Sequence, residues 1–430
     1  MVLLTLIQQR RWISVAGYPL FIGMMAVGYY YNITLVQLGL VDLGQRNLGM
    51  SQASVANHMA GFALLTCMVA IGYGWRMRTS GMSLQFQKKM LLAFFIVLIQ
   101  TLLTSALALV NDTAMYSVWI ALTALAIGIG VPVTFSMTCD LIPVQDRGFV
   151  AMVITALTYF SANVLPSDWT IEVFRTQMLW IMIPGVLGFA GLVFGPFPLL
   201  EKLAVQHKDP LFAHGRYVKD EGLGRLSENP RVVALIVLMF AIFFIDSLGF
   251  LRMTETPAYM INTWRANELQ PRLFIGSIHV IGALIAGIFY THMDDKFLFL
   301  WIFGIFALVH QGYGLQESLL PGGDSNLGLP MLYALAVSMY TVVNFAIWAD
   351  ISTPRTISYN TAIGVALSGW TATFLSTGLA IRWRSAGLPL AEHLQRVDAL
   401  AWLLFLIVLV LILMPRRSIK PGASEGARDA

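Results

Sequence analysis

Twelve long apolar runs separated by short polar segments constrain the fold of this chain more than any other feature. They cover residues 13–38, 52–75, 89–110, 114–138, 148–166, 177–199, 231–252, 272–291, 297–315, 329–349, 357–381 and 398–414. A helix needs about 20 apolar residues to cross the hydrocarbon core of a bilayer. Because the apolar residues are continuous rather than alternating, they predict helices and not the strands of a barrel. The predicted fold class is an all-α polytopic membrane protein with twelve transmembrane helices.

The composition points to a lipid environment. Of the 430 residues, 57% are hydrophobic and only 12% are charged, whereas a soluble domain has about 25% charged residues. Such a chain cannot cover a water-facing surface, so the lipid bilayer is its expected partner. The pI near 9.0 does not indicate nucleic-acid binding, because the basic residues lie in short loops between the apolar runs.

The distribution of basic residues predicts the orientation of the chain. Most of the 27 Lys and Arg residues fall on the side that holds both termini and the polar interval 200–230, which places that side in the cytoplasm. This interval divides the chain into a predicted N-terminal six-helix bundle (1–199), a cytoplasmic central loop (200–230), a C-terminal six-helix bundle (231–414) and a cytoplasmic tail (415–430). The expected location is the inner (plasma) membrane of a prokaryote.

The two halves also share local patterns. The segment 134–140 closes the fourth run with an aspartate, as the segment 344–350 closes the tenth. His58 and Gly61 in the second run are matched by His279 and Gly282 in the eighth, with the same spacing. A parallel repeat of two six-helix halves is a known transporter design, with the solute site near the midplane between the halves.

Short motifs resemble those of the major facilitator superfamily. Gly128-Ile-Gly130 and the following Cys139-Asp-Leu-Ile-Pro-Val-Gln-Asp-Arg-Gly148 are similar to its fourth helix, inner loop and fifth helix. The stretch 243–249 is similar to the first helix of a half in many members. The resemblance implies two bundles that rock about a central solute site. The loop 74–81 departs from the family by lacking an aspartate, and Trp119-Ile-Ala-Leu stands where many proton-coupled members carry an arginine.

Asp246 is the sharpest candidate for function, because it lies well within the seventh apolar run. A charged carboxylate there costs several kcal/mol, so it must find a partner, face a cavity or take up a proton. These are the properties of a proton-coupling or cation-binding residue. The alternative is a hydrogen bond that holds two helices together.

Other polar and aromatic residues inside the runs are candidates for the wall of a solute pocket. Tyr30, Asn32 and Gln37 lie in the first run, beside Tyr29. The remaining candidates are His58, Tyr159, Asn163, His279, Asn344, Asn360 and Trp370. Aromatic rings with a few amides suit a partly apolar organic solute, although the same residues also serve ordinary helix packing. No metal site is predicted, because no carboxylate or thiol stands at ligand spacing beside either histidine.

Charged residues at the ends of the runs are candidates for conformational gating. Those at the cytoplasmic ends are Asp140, Asp146, Arg147, Asp350 and Arg355, and those at the outer end of the seventh run are Arg252 and Glu255. Ion pairs that form in one conformation and break in the other are what an alternating-access switch needs. The alternative is that these charges only anchor helix ends at the membrane interface.

These features together predict a secondary transporter that moves a small organic solute, driven by a gradient of protons or another ion or by the gradient of the solute itself. No glycine-rich phosphate loop with a following lysine is present, so nucleotide-driven pumping and enzymatic activity are not expected, and no cofactor is predicted. Two alternatives remain open. One is a non-transporting membrane protein of the same fold, such as an assembly factor or receptor, and the other is a lipid-handling protein.

Overall fold

The structure is a computed structural model that describes residues 2–35, 40–165, 168, 170–195, 199–213, 215–218, 230–254, 259, 266–293, 295–321 and 327–413. In this part of the chain every regular element is a helix. Two predicted site residues lie outside the described residues, namely Gln37 and Glu255. The same holds for residues 214 and 219–229 of the central connection and for the predicted tail 415–430.

Twelve helices are long and apolar enough to cross a membrane. In chain order, α1 to α12 are Trp12–Thr34, Gln52–Thr79, Phe86–Leu109, Thr113–Leu141, Val144–Val164, Ile171–Phe194, Val232–Phe250, Leu269–His292, Phe297–Leu319, Gly328–Asp350, Ile357–Ser385 and Leu390–Leu411. They confirm the predicted multi-pass membrane protein. Short helices cover Val2–Gln8 before α1, and Leu199–Leu203 and Pro210–Ala213 in the connection between α6 and α7.

Two helices begin six or more residues earlier than the apolar runs indicate. Helix α12 begins at Leu390 rather than at 398, because polar residues are tolerated in its first turns, where Glu392 and Arg396 form an ion pair of 2.6 Å. Helix α6 begins at Ile171 rather than at 177, since the Thr170 hydroxyl caps its first turn. In both cases the helix begins before the first residue of the apolar run, and a hydropathy pattern does not detect these more polar first turns.

The helix contacts in the first six helices recur in the last six. Helix α2 packs on α4, α3 packs on α4 and α6, and α1 packs on α5. The corresponding pairs in the second half are α8 with α10, α9 with α10 and α12, and α7 with α11, and all of these are also in contact. The two halves therefore have the same internal arrangement.

One side-chain contact appears in both halves at the same sequence separation. His58 Nε2 lies 3.0 Å from Ser117 Oγ, and His279 Nδ1 lies 2.8 Å from Ser338 Oγ. Each pair joins the second and fourth helices of its half and spans 59 residues. The matched histidines of the sequence thus occupy equivalent places in the two halves.

The contacts between the halves include two closely packed helix pairs, α5 with α8 and α11 with α2, and α5 also contacts α10 while α11 contacts α4. At the second pair, Gly74 lies so close to α11 that a Cβ atom there would be 2.6 Å from the Ala362 Cβ and 2.8 Å from the Ser358 carbonyl oxygen. At the first pair, a Cβ on Gly287 would be 2.6 Å from the Met152 Cβ. Small residues at these points allow the backbones to approach closely.

Candidate functional site

A cavity of about 380 Å³ is bordered by helices from both halves. Helices α1, α3, α4 and α6 supply most of its wall, and α10 and α11 supply the rest. Among the predicted pocket residues, Asn32, Asn344 and Trp370 line it. Its volume falls within the range of about 300–1,000 Å³ that small-molecule sites have.

The wall of the cavity is mostly apolar, with polar groups at a few points. The polar side chains that line it belong to Tyr29, Tyr31, Asn32, Gln100, Thr134 and Asn344. None of the described residues that line it carries a carboxylate, an ammonium, a guanidinium or an imidazole group. The cavity can therefore offer van der Waals contact and neutral hydrogen bonds to a bound molecule.

Most of these polar groups already have partners within the protein. The Tyr31 hydroxyl lies 3.2 Å from Thr104 Oγ1, Thr134 donates to the Gly130 carbonyl oxygen at 2.9 Å, and Asn344 Oδ1 accepts from Trp348 Nε1 at 2.9 Å. Asn32 differs, because its Oδ1 atom is buried and has no hydrogen-bond partner among the described residues. A buried acceptor without a partner costs about 1–3 kcal/mol, and this oxygen is shielded from the cavity that the rest of the residue borders.

Asp246 lies outside the lining of this cavity, on helix α7, and contacts two tyrosines of α10. The Tyr340 hydroxyl donates to Asp246 Oδ2 at 2.7 Å, and the Tyr333 hydroxyl donates to Asp246 Oδ1. Tyr333 and Tyr340 are two helical turns apart, so both point to the same face of α10. Phe243 packs on Tyr340, and Phe250 packs on Tyr333. The carboxylate is thus hydrogen-bonded at both oxygens and surrounded by aromatic rings.

A second hydrogen-bonded group connects the neighbourhood of Asp246 to the cavity. Thr341, the residue after Tyr340, has its Oγ1 atom 3.2 Å from the Tyr159 hydroxyl, which lies 3.1 Å from the hydroxyl of Tyr29. Tyr29 lines the cavity. The ring of His279 stacks on the ring of Tyr159, with centroids 4.6 Å apart, and holds it in place. Helices α1, α5, α8 and α10 therefore meet at this group.

Four other predicted pocket residues are not brought to the cavity. The Tyr30 hydroxyl donates to Gln177 Oε1 at 3.4 Å, and His58 is bonded to Ser117. Asn163 donates to the Tyr159 carbonyl oxygen at 2.8 Å, and Asn360 donates to Ser352 Oγ at 3.0 Å. Each polar group thus bonds a neighbouring helix, its own helix or, for Asn360, the turn before its own helix, which is the packing role that the sequence also allows.

The predicted gating residues Arg147 and Asp350 form a buried ion pair between the halves. Arg147 Nη1 on α5 donates to Asp350 Oδ1 on α10 at 3.0 Å, and neither side chain is exposed. Asp350 Oδ2 accepts from the Tyr290 hydroxyl at 2.8 Å, and Arg147 Nη2 also donates to the Phe212 carbonyl oxygen at 3.0 Å. Phe212 belongs to the connection between α6 and α7. We call the end of the molecule that holds this connection the linker side.

Other charged residues close the linker side within the first half. Asp140 forms a buried ion pair with Lys89, and its Oδ1 lies 3.5 Å from His207 Nδ1. Asp146 accepts hydrogen bonds from the Tyr18 hydroxyl at 2.7 Å and from the backbone at the start of the short helix Val2–Gln8. Arg355 is exposed, and within the described part of the chain no carboxylate forms an ion pair with it.

The connection between α6 and α7 follows the second half closely at this end. The backbone nitrogens of Gly215 and Tyr217 donate to the carbonyl oxygens of Ser352 and Asp350 at 3.0 and 2.9 Å. A Cβ on Gly215 would lie 2.2 Å from the Asp350 carbonyl oxygen. At the opposite end, the helix that contains α7 continues to Thr254. Arg252 donates to the Leu388 carbonyl oxygen at 3.3 Å, so it joins this end of the helix to the turn before α12.

Several residues of these networks were not predicted from the sequence. Lys89 lies at the edge of an apolar run, a position that is typical of an anchor at the membrane interface. In the sequence, Tyr333 and Tyr340 look like ordinary aromatic residues of a membrane helix. The seven-residue spacing of the two tyrosines was the available signal, since it places both on one face of a helix.

His310 is also buried, and its Nε2 atom has no hydrogen-bond partner among the described residues. No group of three His, Cys, Asp or Glu side chains arranged for a metal occurs in the described ranges.

Comparisons with known proteins agree with this architecture. No protein-family model matches the sequence, and no curated protein sequence matches it. The chain is similar in structure to the major facilitator superfamily proton:xylose symporter XylE, bound to 6-bromo-6-deoxy-D-glucose, with 15% sequence identity and a TM-score of 0.63, over 93% of this chain and 95% of that chain.

Two further solved structures are similar over nearly their full length. The human organic anion transporter MFSD10 (TETRAN) has 15% identity and a TM-score of 0.59, over 92% of this chain and 99% of that chain. An auto-inhibited POT family peptide transporter has 14% identity and a TM-score of 0.54, over 96% of this chain and 99% of that chain. The chain therefore has the fold of the major facilitator superfamily.

Proposed function

We propose that this protein is a secondary transporter that moves a small organic solute across the membrane by alternating access. The observation that carries the proposal is the cavity bordered by helices of both halves, because only a site between the halves changes its exposure when they move. The similar structures are transporters of a sugar, organic anions and peptides. Transport, rather than an enzymatic reaction, is the function that this arrangement supports.

The buried ion pair between Arg147 and Asp350 supports a switching role for the linker side. It joins α5 of the first half to α10 of the second, so it must break when the halves separate at this end. With the orientation inferred from the basic residues, the linker side faces the cytoplasm of a prokaryotic cell, and the gate is a cytoplasmic one.

Asp246 is the residue that we assign to ion coupling. Protonation of its carboxylate would weaken the hydrogen bonds that both tyrosines of α10 donate to it, because a neutral carboxyl group is a weaker acceptor than a carboxylate. The group formed by Tyr29, Tyr159 and Thr341 then links a change at α10 to the cavity wall. A proton at Asp246 and a solute in the cavity can thus influence each other without direct contact.

The proposal is tested by ligand discovery followed by transport. The detergent-purified protein is unfolded by heat in the presence of a panel of metabolites, drugs and lipids. A compound that binds only the folded state stabilises it by about 2.7 kcal/mol at a hundred times its dissociation constant. We expect a dose-dependent shift from one chemical class and uptake of that class into proteoliposomes.

Two results would contradict transport. Binding without uptake, together with stable co-purification of a partner, would favour the assembly-factor or receptor alternative. Lipid redistribution between leaflets without solute uptake would favour lipid handling. A Trp370→Ala variant serves as the control for the site, since loss of this cavity residue should weaken both binding and uptake of a true substrate.

A further inference from the structure

The wall of the cavity is not packed equally tightly on all sides, and this difference bears on the route by which a solute reaches it. Building on the proposed function, we propose that the cavity opens to the hydrocarbon layer of the membrane between α1 and α6. The solute is then an uncharged, lipid-soluble molecule that enters from the bilayer rather than from water. The similar structures do not specify this route.

The open part of the wall lies where α1 faces α6. Gly23 and Gly28 of α1 and Gly185 of α6 line the cavity and are also exposed. A Cβ atom added at any of these three glycines would have open space around it, with nothing within 4 Å. Val27, which also lines the cavity, is 37% exposed. At these positions the two helices therefore border a gap instead of packing on each other.

The gap lies at the level of the hydrocarbon core. Gly23 and Gly185 are near the middle of their helices, which are 12–34 and 171–194. Toward the end opposite the linker side, the Tyr30 hydroxyl donates to Gln177 Oε1 at 3.4 Å and joins α1 to α6. Because the middle of a membrane-spanning helix is surrounded by lipid chains, a gap at this depth leads to lipid and not to the water at the membrane surface.

Helix α6 separates the cavity from the surroundings of the protein. Met182, Gly185 and Phe189 line the cavity. Trp180 and Leu187 are 78% and 68% exposed, so they provide an apolar face for contact with lipid. The helix packs mainly on α3, and few of its residues approach α1. One face of α6 is therefore turned to the cavity and another to the bilayer.

The equivalent space in the second half is occupied by aromatic rings. It lies between α7, α9, α10 and α12, where Phe306 and Phe250 pack on Tyr333 with centroids 5.8 and 5.7 Å apart. His393 Nε2 of α12 lies 2.8 Å from the Leu248 carbonyl oxygen of α7, and α12 packs more closely on α7 than α6 does on α1. Since the two halves otherwise share one arrangement, the open space is a specific feature of the first half.

The chemistry of the wall agrees with a route through lipid. A charged group in hydrocarbon without a partner is strongly disfavoured, and no residue of the described lining carries a charged side chain at neutral pH. Hydrophobic residues of α1, α3, α4 and α6 make up most of the wall, and each Å² of apolar surface that a ligand buries contributes about 25 cal/mol. The entrance and the wall therefore select the same class, uncharged molecules with an apolar body.

The test is photolabelling from within the bilayer. The full-length protein is reconstituted in lipid vesicles that contain 3-phenyl-3-(trifluoromethyl)diazirine, a small apolar compound that dissolves in lipid and inserts into nearby bonds on illumination. Mass spectrometry then locates the labelled residues. We expect labelling of Ile127 and Val131, which line the cavity on α4, and of the lipid-facing Leu187, which is the internal reference. Labelling of outward-facing residues such as Leu187 alone would overturn the proposal.

Two variants locate the entrance. Gly185→Leu and Gly23→Leu place a side chain in the gap from either helix, at positions where the structure has room for it, and most of the labelling of Ile127 and Val131 should be lost. Gly191→Leu is the matched control, because Gly191 is exposed on α6 with equally open surroundings but does not line the cavity. Equal labelling of α4 in Gly185→Leu and Gly191→Leu would mean that the probe enters elsewhere, which contradicts the proposal.

A transport measurement distinguishes failure of this inference from failure of the proposed function. Uptake of a charged, water-soluble compound into proteoliposomes, with no labelling of the cavity residues of α4, would overturn the lipid route and leave transport in place. Labelling of α4 that is lost in Gly185→Leu, without movement of any compound of the panel across the membrane, would support the lipid route and contradict transport.

Discussion

At the scale of single residues, Asp246 shows how a membrane helix accommodates a carboxylate. The sequence places this residue well inside an apolar run, and the structure surrounds it with two tyrosine hydroxyls and aromatic rings. Two donors satisfy both oxygens without introducing a second charge. The carboxylate therefore keeps the ability to take up a proton, which a permanent ion pair with lysine or arginine would suppress.

The variant Asp246→Asn tests the coupling role. The amide cannot gain or lose a proton, so in proteoliposomes we expect loss of accumulation driven by a pH gradient, while exchange of solute across the membrane continues. Asp112→Asn is the control, because Asp112 caps α4 through its side chain and asparagine caps helices equally well. Accumulation at the level of the unmodified protein would remove Asp246 from coupling.

The sequence located Asp246 but not its environment. A lone acidic residue in an apolar run is visible in any hydropathy plot, whereas its partners Tyr333 and Tyr340 are about ninety residues away in the chain. Asn32, Asn344 and Trp370 were predicted and line the cavity, but Tyr30, His58, Asn163 and Asn360 are not brought to it. The residue types are the same in both groups. The groups differ in the helix on which each residue lies, since α2 and α5 supply none of the described lining, and in the rotation of α1 and α11 about their axes.

At the scale of helices, the close approach of α2 and α11 depends on a residue without a side chain. A Cβ on Gly74 would lie 2.8 Å from the Ser358 carbonyl oxygen, which belongs to the backbone and cannot rotate away. Gly72, two residues earlier on the same helix, has open space around its Cβ position. The two glycines therefore form a matched pair for mutagenesis.

We expect Gly74→Ala to lower the unfolding temperature of the purified protein and Gly72→Ala to leave it nearly unchanged. Overpacking of this kind costs about 1–3 kcal/mol, while alanine is otherwise the better helix former. Thermal unfolding of both variants in the same detergent gives the comparison. Equal unfolding temperatures would show that α2 and α11 can separate at this point without loss of stability.

Helix α11 also contains a feature that sequence patterns do not reveal. Residues Ala366–Thr371 form a turn of π-helix, and Trp370, which lines the cavity, lies within it. Wider turns of this kind often occur at functional sites. An α-turn and a π-turn have the same composition, so the apolar run predicts the helix but not the direction in which Trp370 points.

At the scale of the whole molecule, the linker side is held closed by contacts between the halves. Asp350 accepts from Arg147 and Tyr290, and lies 3.7 Å from Arg216 of the connection. Removal of one partner from a buried ion pair leaves an uncompensated charge, which is strongly destabilising. Neutralising Asp350 is therefore expected to destabilise the closed arrangement more than the open one.

The variant Asp350→Asn should raise the population of molecules that are open on the linker side. Spin labels at Ser80→Cys and Arg355→Cys, exposed positions on the two halves, report this distance, and the native Cys67 and Cys139 are buried. We expect a larger share of long distances in Asp350→Asn than in Asp42→Asn, whose carboxylate pairs with Arg46 at the opposite end. Identical distance distributions would mean that this ion pair does not control closure.

The global architecture was the part most accessible from the sequence. The apolar runs and the matched segments of the two halves predict twelve helices in a repeated arrangement, because lipid leaves few alternatives for the backbone. The packing between α5 and α8 and between α2 and α11 depends on individual small residues. A pattern of apolar runs contains no information about such pairs.

The absence of charged side chains from the described lining of the cavity has an electrical consequence. An uncharged solute contributes no current when it crosses the membrane, so the membrane voltage acts only on the ion that accompanies it. If that ion is one proton carried at Asp246, each transport cycle moves one elementary charge, on which a voltage of 100 mV does about 2.3 kcal/mol of work. Accumulation of a neutral compound would then respond to voltage even when the pH is equal on both sides.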